Sequence, residues 1–255
     1  MAGTLPLSLV VITRDAAASL AECLASAAFV SEVVVVDSGS RDDTVEIARR
    51  SGARVLIEAW RGFGPQKAFA VAAAAHDWVL CLDADERVTP KLERAIREAF
   101  ASGEPAAGAY AVARRNRFLG RWLAHGEGYP DWNLRLFDRR RARWSEEPVH
   151  ERVLAEGPVA RLRGDLLHAS AESIEDYLAK QNRYTTLQAE AMHARGERSG
   201  FAQLALSPLA RFVRFYVLKL GFLDGAAGFA HIAIGAFASF QKHAKLLALQ
   251  RGAAR

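Results

Sequence analysis

Four short apolar runs separated by helix-length segments constrain this chain more than any other feature. Residues 7–13, 32–37, 54–57 and 78–82 read as strands, and residues 16–28, 43–50 and 66–75 as the helices between and after them. Strands alternating with helices of about 10–15 residues build right-handed βαβ units and a mostly parallel α/β sheet with helices on both faces. Ligands of such sheets bind beyond the carboxyl ends of the strands. Thr13-Arg14, Asp37-Ser38 and the stretch from Asp83 to Asp85 each follow a strand, so the pattern brings all three to one crevice.

The fourth run ends abruptly in three carboxylates, Leu80-Cys81-Leu82-Asp83-Ala84-Asp85-Glu86. Asp83 and Asp85 are two residues apart and point to the same side of an extended chain. Two carboxylates held together repel each other unless a cation lies between them. Mg²⁺ or Mn²⁺, bound by oxygen ligands and sharing substrate phosphates, meets that need. The competing reading is a solvated acidic turn before a helix, because Thr89-Pro90 has the chemistry of an N-cap and first helical position. Asp37 supplies an acid able to accept from a ribose hydroxyl or a base N–H. A dinucleotide site would need G-x-G-x-x-G after the first strand. That turn is Thr13-Arg14-Asp15-Ala16-Ala17-Ala18, without glycine, and there is no G-x-x-x-x-G-K-[ST] either.

The segments LSLVVITRDAAASLAECLAS, VVVVDSGSRDDTVEIAR, WRGFGPQKAFAVAAAAHDWVLCLDADERV and DWNLRLFDRR…EEPVHE, in this order, resemble the inverting glycosyltransferases of family 2. The resemblance runs from about Leu5 into the tail. It implies the GT-A fold, a Rossmann-like, mostly parallel sheet flanked by helices, and a nucleotide-sugar donor. More narrowly, the chain is similar to bacterial enzymes that add glucose or a related sugar to the lipopolysaccharide inner core. By the same resemblance Thr13 and Asp37 would contact the nucleoside, and Lys67 the base or diphosphate; Arg14, at the same strand end, is a further candidate for donor binding. Asp83 would touch ribose and metal, and Asp85 would ligate the metal. Where many relatives have Asn after the Gln-Lys pair, this chain has Ala68.

From residue 109 the pattern changes. Residues 110–118 and 133–137 read as strands, separated by an irregular loop over 120–131 that is rich in glycine and aromatics. Nine arginines lie between Arg114 and Arg143, against three acids. They form either a solvated basic face or a surface for a phosphorylated acceptor, since guanidinium forks match phosphate and carboxylate groups. Nucleic acid is excluded as a partner, because the aromatics are not spaced as a stacking platform and the domain is not basic overall.

A second acidic cluster, Glu146-Glu147-Pro148-Val149-His150-Glu151, follows. Inverting transfer is a single displacement and needs a carboxylate to take the acceptor's proton. A metal stabilising the leaving diphosphate is a separate task for separate carboxylates. Glu151 is the expected base, with Asp131 as its rival. His150 would orient the base or reach the metal, and His168 would join Asp85 and Asp83 as a metal ligand; each is otherwise a hydrogen-bonded structural histidine.

Ser173-x-x-Asp176 reads as a capping box opening a helix to about residue 195. Residues 201–255 hold seven Lys and Arg against one acid, so the net charge of +5 resides there. The apolar run at 226–240 is shorter than the roughly 20 residues a bilayer span needs. An amphipathic cationic pair of helices lying on an anionic membrane fits better, with a helical lid or a dimer contact as the alternative. Cys23 and Cys81, both in apolar segments, read as free buried thiols of a reducing compartment. Residues 5–12 read as a first strand, too short for a signal core.

The sequence thus predicts a nucleotide-sugar half (1–108), an acceptor half carrying the base (109–200) and a helical extension (201–255). The expected activity is transfer of a hexose, glucose from UDP-glucose, to a lipid-linked phosphorylated saccharide at the inner face of the cytoplasmic membrane. The alternatives are a non-catalytic sugar-nucleotide-binding protein at a membrane surface, and a nucleotidyltransferase, whose Gly-rich basic loop after the first strand is missing.

Overall fold

The structure is a computed structural model and describes residues 3–145, 151–169 and 173–252. Its elements are β1 (Leu5–Thr13), α1 (Ala17–Ser26), β2 (Val30–Asp37), α2 (Thr44–Arg50), β3 (Arg54–Ile57), α3 (Phe63–Ala73), β4 (Trp78–Asp83), β5 (Glu86–Val88), α4 (Pro90–Phe100), β6 (Ala109–Phe118), β7 (Arg121–Trp122), β8 (Asp131–Asp138), β9 (Ala142–Trp144), β10 (Val153–Ala155), β11 (Val159–His168), α5 (Ile174–Ala194), α6 (Phe201–Phe212) and α7 (Gly225–Gly252). The chain packs as two compact units, Met1–Arg114 with Trp132–Ala169, and Arg115–Asp131 with Ser170–Arg255.

The main sheet has the order β3-β2-β1-β4-β8-β6-β11-β5. β1, β2, β3 and β4 are parallel, whereas β8 runs antiparallel to β4 and β11 antiparallel to β5. The strand order reverses at β1, which lies between β2 and β4, and that switch point is where ligands enter open α/β sheets. Register delivers the expected convergence: Thr13 pairs with Asp37, and Ile12 with Asp83.

Both faces of the first unit's sheet are covered, which is why its central strands are apolar throughout. Leu7, Leu9 and Val11 of β1 pack with Leu20, Cys23 and Leu24 of α1 and with Leu92 and Ile96 of α4. Val10 faces the other way, in a cluster with Ala70 and Val71 of α3, Phe137 and Trp144. Thr89 caps α4, its hydroxyl accepting from Leu92 N at 3.3 Å, with Pro90 in the first turn. Gly164, at φ +105°, lets β11 press against α4; a Cβ there would lie 2.4 Å from Leu92 N. Cys23 and Cys81 are buried free thiols, and burial pushes the Cys81 thiol up to about 12.

α3 begins three residues earlier than its sequence pattern suggests. Pro65 falls in the first turn, where its missing N–H leaves no intrahelical bond unmade.

In the second unit, α7 packs on α5 and α6. Buried Asp224 accepts from the backbone N–H groups of Ala124 and His125, at 2.9 and 2.8 Å. Lys245 donates to Asn182 O, Asn182 Oδ1, Thr185 Oγ1 and Thr186 Oγ1, at 2.7–2.8 Å. Ser173 Oγ accepts from Asp176 N, capping α5 as expected. The apolar run read at 226–240 is part of a longer helix, and residues 221–252 are long and apolar enough to cross a membrane by length and composition. Nearly half of the most apolar window is nonetheless buried within the protein.

Candidate active site

At the end of β4 the chain turns sharply through Ala84 and Asp85 into β5, so Asp83 and Asp85 do not lie on one extended strand. Asp83 has two cationic partners: its Oδ1 is 3.0 Å from Lys67 Nζ and its Oδ2 is 2.7 Å from Arg135 Nη2. The same Nη2 lies 2.7 Å from Oε1 of Glu86, which is fully buried, and Arg114 approaches that oxygen at 3.7 Å. The carboxylate repulsion that suggested a metal to the sequence reading is therefore answered, at Asp83, by protein side chains. Burial would raise the Asp83 carboxyl, but the Arg135 guanidinium and then Lys67 override it and hold it well below the usual carboxylate range. Glu86 goes the other way: burial outweighs Arg135 and raises it.

Lys67, in the first half of α3, extends this chain of charges. Its Nζ lies 3.1 Å from Glu151 Oε1 and 4.7 Å from the centre of the Trp144 ring. Lys67 and Arg135 are each less than a tenth exposed. Alternating charge thus runs Glu151–Lys67–Asp83–Arg135–Glu86 without a break. Every ion here is paired, which is the condition for burying charge at all.

Asp85 has a different partner. β11 ends at His168, whose Nε2 is 3.2 Å from Asp85 Oδ2, and Ala169 N donates to Asp85 O at 3.1 Å. Burial pushes the Asp85 carboxyl up, but the hydrogen bond and charge of His168 outweigh it and hold Asp85 below its ordinary value. Two neighbouring ligands of an octahedral ion with bonds of about 2.1 Å lie roughly 3 Å apart. A carboxylate oxygen and an imidazole nitrogen at 3.2 Å therefore suit one edge of such a site. Among the described residues no three His, Cys, Asp or Glu side chains are grouped closely enough to hold a metal by themselves. An ion held there would take few protein ligands and complete its shell with phosphate and water.

Thr13 and Asp37 shape the neighbouring strand ends. Asp37 is buried; its Oδ2 accepts from Thr13 Oγ1 at 2.9 Å, and its Oδ1 accepts from Gly39 N and Ser40 N at 3.0 and 2.8 Å. The carboxylate thereby fixes the turn after β2. Arg14 is exposed in the bend after β1, which is tied to the β2 turn by Asp15, whose Oδ1 accepts from Arg41 N at 2.7 Å. Gln66 is buried beside Lys67 and pins the preceding loop, donating to Ser38 Oγ at 3.1 Å and Glu58 O at 3.3 Å.

The structure brings together Lys67, Asp83 and Glu151, and separately Asp85 with His168. Asp131 opens β8, half-buried, in the second unit. His150 lies outside the described residues. Sequence reasoning missed Arg135 and Glu86: Arg135 was one of nine arginines assigned to a basic surface. The signal that could have found it is its place inside a strand with sheet neighbours on both sides, β4 and β6, where a charge must be paired.

Residues 8–155 match the family model described as "Glycosyl transferase family 2". The chain belongs to glycosyltransferase family 2. It is therefore a transferase of sugars, and its mostly parallel sheet, flanked by helices and followed by a long C-terminal helix, is a GT-A-like fold. Over 249 residues it is 33% identical to the lipopolysaccharide core biosynthesis glycosyltransferase LpsC of Rhizobium meliloti, covering 95% of this chain and 92% of that one. An uncharacterised glycosyltransferase of Rickettsia typhi is 31% identical over 94% of this chain and 86% of its own. A solved structure of glucosyl-3-phosphoglycerate synthase from Mycobacterium tuberculosis, in complex with Mn²⁺, UDP-glucose and phosphoglyceric acid, aligns with 27% identity. That alignment covers 44% of each chain, with a TM-score of 0.36. Such a likeness is local, and the fold assignment rests on the family match and the strand order.

Proposed function

We propose that this family 2 transferase moves a hexose, glucose from UDP-glucose, onto a lipid-linked phosphorylated saccharide of the lipopolysaccharide inner-core kind, with inversion at the anomeric carbon. The acceptor class is suggested by the likeness to LpsC, a lipopolysaccharide core biosynthesis glycosyltransferase, along nearly the whole of both chains. One observation carries the chemistry: Lys67 joins a carboxylate at the β4 end, Asp83, to a second carboxylate, Glu151, within 3.1 Å of each. Donor-side and acceptor-side acids are thus held by one cation.

Glu151 takes the proton of the acceptor hydroxyl as its oxygen forms the new bond to the anomeric carbon. The bond from that carbon to the diphosphate breaks, and its electron pair leaves on the diphosphate oxygen. Lys67 offers that oxygen a positive partner. Thr13, Arg14 and Asp37 frame the nucleoside end, where Asp37 holds the turn and Arg14 is exposed. Asp85 and His168, with Asp83 behind them, would hold Mg²⁺ or Mn²⁺, which when bound supplies Lewis-acid stabilisation of the diphosphate charge. Asp131 is the alternative base.

The acceptor's lipid carrier requires approach to a membrane from the cytoplasmic side. In the second unit Phe201 and Leu218 are 84% and 72% exposed, and Leu206 and Leu209 are exposed as well. Arg211, Arg214 and Lys219 lie in the same stretch. Apolar side chains interleaved with cations suit the interface of an anionic bilayer, and we assign residues 201–255 to peripheral attachment there.

The test is transfer by Glu151→Gln with the product's anomeric configuration read by NMR. Turnover should fall by about 10²–10⁴ while donor binding persists, and the wild-type product should be inverted. Undiminished turnover moves the base to Asp131, and a retained configuration rejects single displacement.

A further inference from the structure

Lys67 has more to do than neutralise Asp83. Its buried ammonium carries three N–H donors, and within reach lie Asp83 Oδ1 at 3.0 Å, Glu151 Oε1 at 3.1 Å and the face of Trp144. Asp83 keeps a second cation, Arg135, at 2.7 Å whatever Lys67 does. Glu151 is held by Lys67 through Oε1, one of the two oxygens through which it would reach an acceptor hydroxyl. An ammonium hydrogen-bonded to a carboxylate oxygen occupies a lone pair and tethers the side chain in place. As found, the candidate base is restrained.

We propose that Lys67 is a donor-sensing latch on Glu151. Without donor, the ammonium holds the base in an ion pair. A diphosphate arriving at the β4 end, carrying more negative charge than one carboxylate, draws Lys67 to itself and releases Glu151 toward the acceptor hydroxyl. Arg135 keeps Asp83 compensated while the latch opens, so no buried charge is stranded. The base becomes available only after the donor is seated, which imposes donor-first order. This rests on Glu151 being the base, and goes beyond it by making the base's availability depend on the leaving group.

The latch makes a prediction opposite in sign to that for an ordinary loss of a site residue. Affinity is measured by calorimetry with Mg²⁺ present, using whichever of UDP, GDP, ADP or CDP stabilises the wild type most. Glu151→Gln should bind that nucleotide roughly three- to tenfold more tightly, the order expected when a partly buried ion pair no longer competes. Lys67→Met should bind it more weakly, and in that background Glu151→Gln should give no gain. Unchanged or weaker binding by Glu151→Gln overturns the latch, as does a gain that persists without Lys67, which would reflect only the removal of a nearby negative charge. Lost turnover without tightening removes the latch and leaves the base assignment standing. Tightening with full turnover removes the base assignment, and the latch with it. Failure of all four nucleotides to bind the wild type overturns the donor reading and the latch together.

Discussion

The two units break the inside-out rule of globular proteins in opposite directions. The first buries ions: Lys67, Arg135 and Glu86 are all removed from water near the end of β4. The second leaves Phe201, Leu206, Leu209 and Leu218 in water. Charged side chains are rarely buried unless paired, and each costs several kcal/mol to desolvate even after relaxation. A large exposed apolar surface usually marks an interaction site. In our reading the first awaits a diphosphate and a metal, and the second a lipid surface.

The comparison can be broken at several points. The largest effect is on catalysis, where Glu151→Gln lowers turnover by about 10²–10⁴ in a protein that still folds. Next comes the floor of the site. Among the described residues, Arg135→Met leaves fully buried Glu86 with only the longer Arg114 ion pair, and Asp83 with only that of Lys67, and should cost about 3–5 kcal/mol of stability, measured by urea unfolding; adding Glu86→Gln should restore part of that loss. In the second unit, the pair Phe201→Asp and Leu218→Asp should reduce partition onto anionic vesicles by at least about 100-fold, each lost apolar side chain contributing roughly 1.5–3 kcal/mol when inserted. The folded protein should otherwise be unaffected, because both side chains are already exposed. An unchanged partition would separate the exposed apolar residues from membrane attachment.

The smallest effect is that of pH, measured in chelator. Asp83 and Asp85 are held below their ordinary values in the folded state. Their contribution to stability is therefore complete above about pH 4 and is lost as the pH falls through their lowered folded values. Glu86 is raised, so its protonation on the way down favours the folded state and blunts the loss. Between pH 5 and 3, Asp85→Asn should lose less stability than the wild type.

Most of the first unit was legible because its physics is local. Apolar runs of strand length, each ended by a polar turn, specify parallel strands, and register alone then brings Thr13, Asp37 and Asp83 together. The 173 cap and the Thr89-Pro90 start were readable for the same reason. What escaped depends on tertiary neighbours. The charge pairing of Arg135 is set by strands distant in sequence, and nothing in DWNLRLF distinguishes it from a surface arginine. Asp85 was read on an extended chain, whereas a tight turn sends it toward His168, 83 residues later and the last of its strand. The run at 226–240 was cut at Gln241-Lys242, although a helix carries such residues on its wet side and continues, here through Gly252.

The most direct test of the site as a place for metal and diphosphate is the initial rate of sugar transfer by Asp85→Ala, at saturating UDP-glucose and Mn²⁺. The account predicts a protein that still folds, with at most a modest fall in unfolding midpoint from the lost His168 contact, and a rate reduced by at least about 100-fold, consistent with the loss of transition-state charge stabilisation. A wild-type rate, or one unaltered by chelator in the parent enzyme, would contradict it.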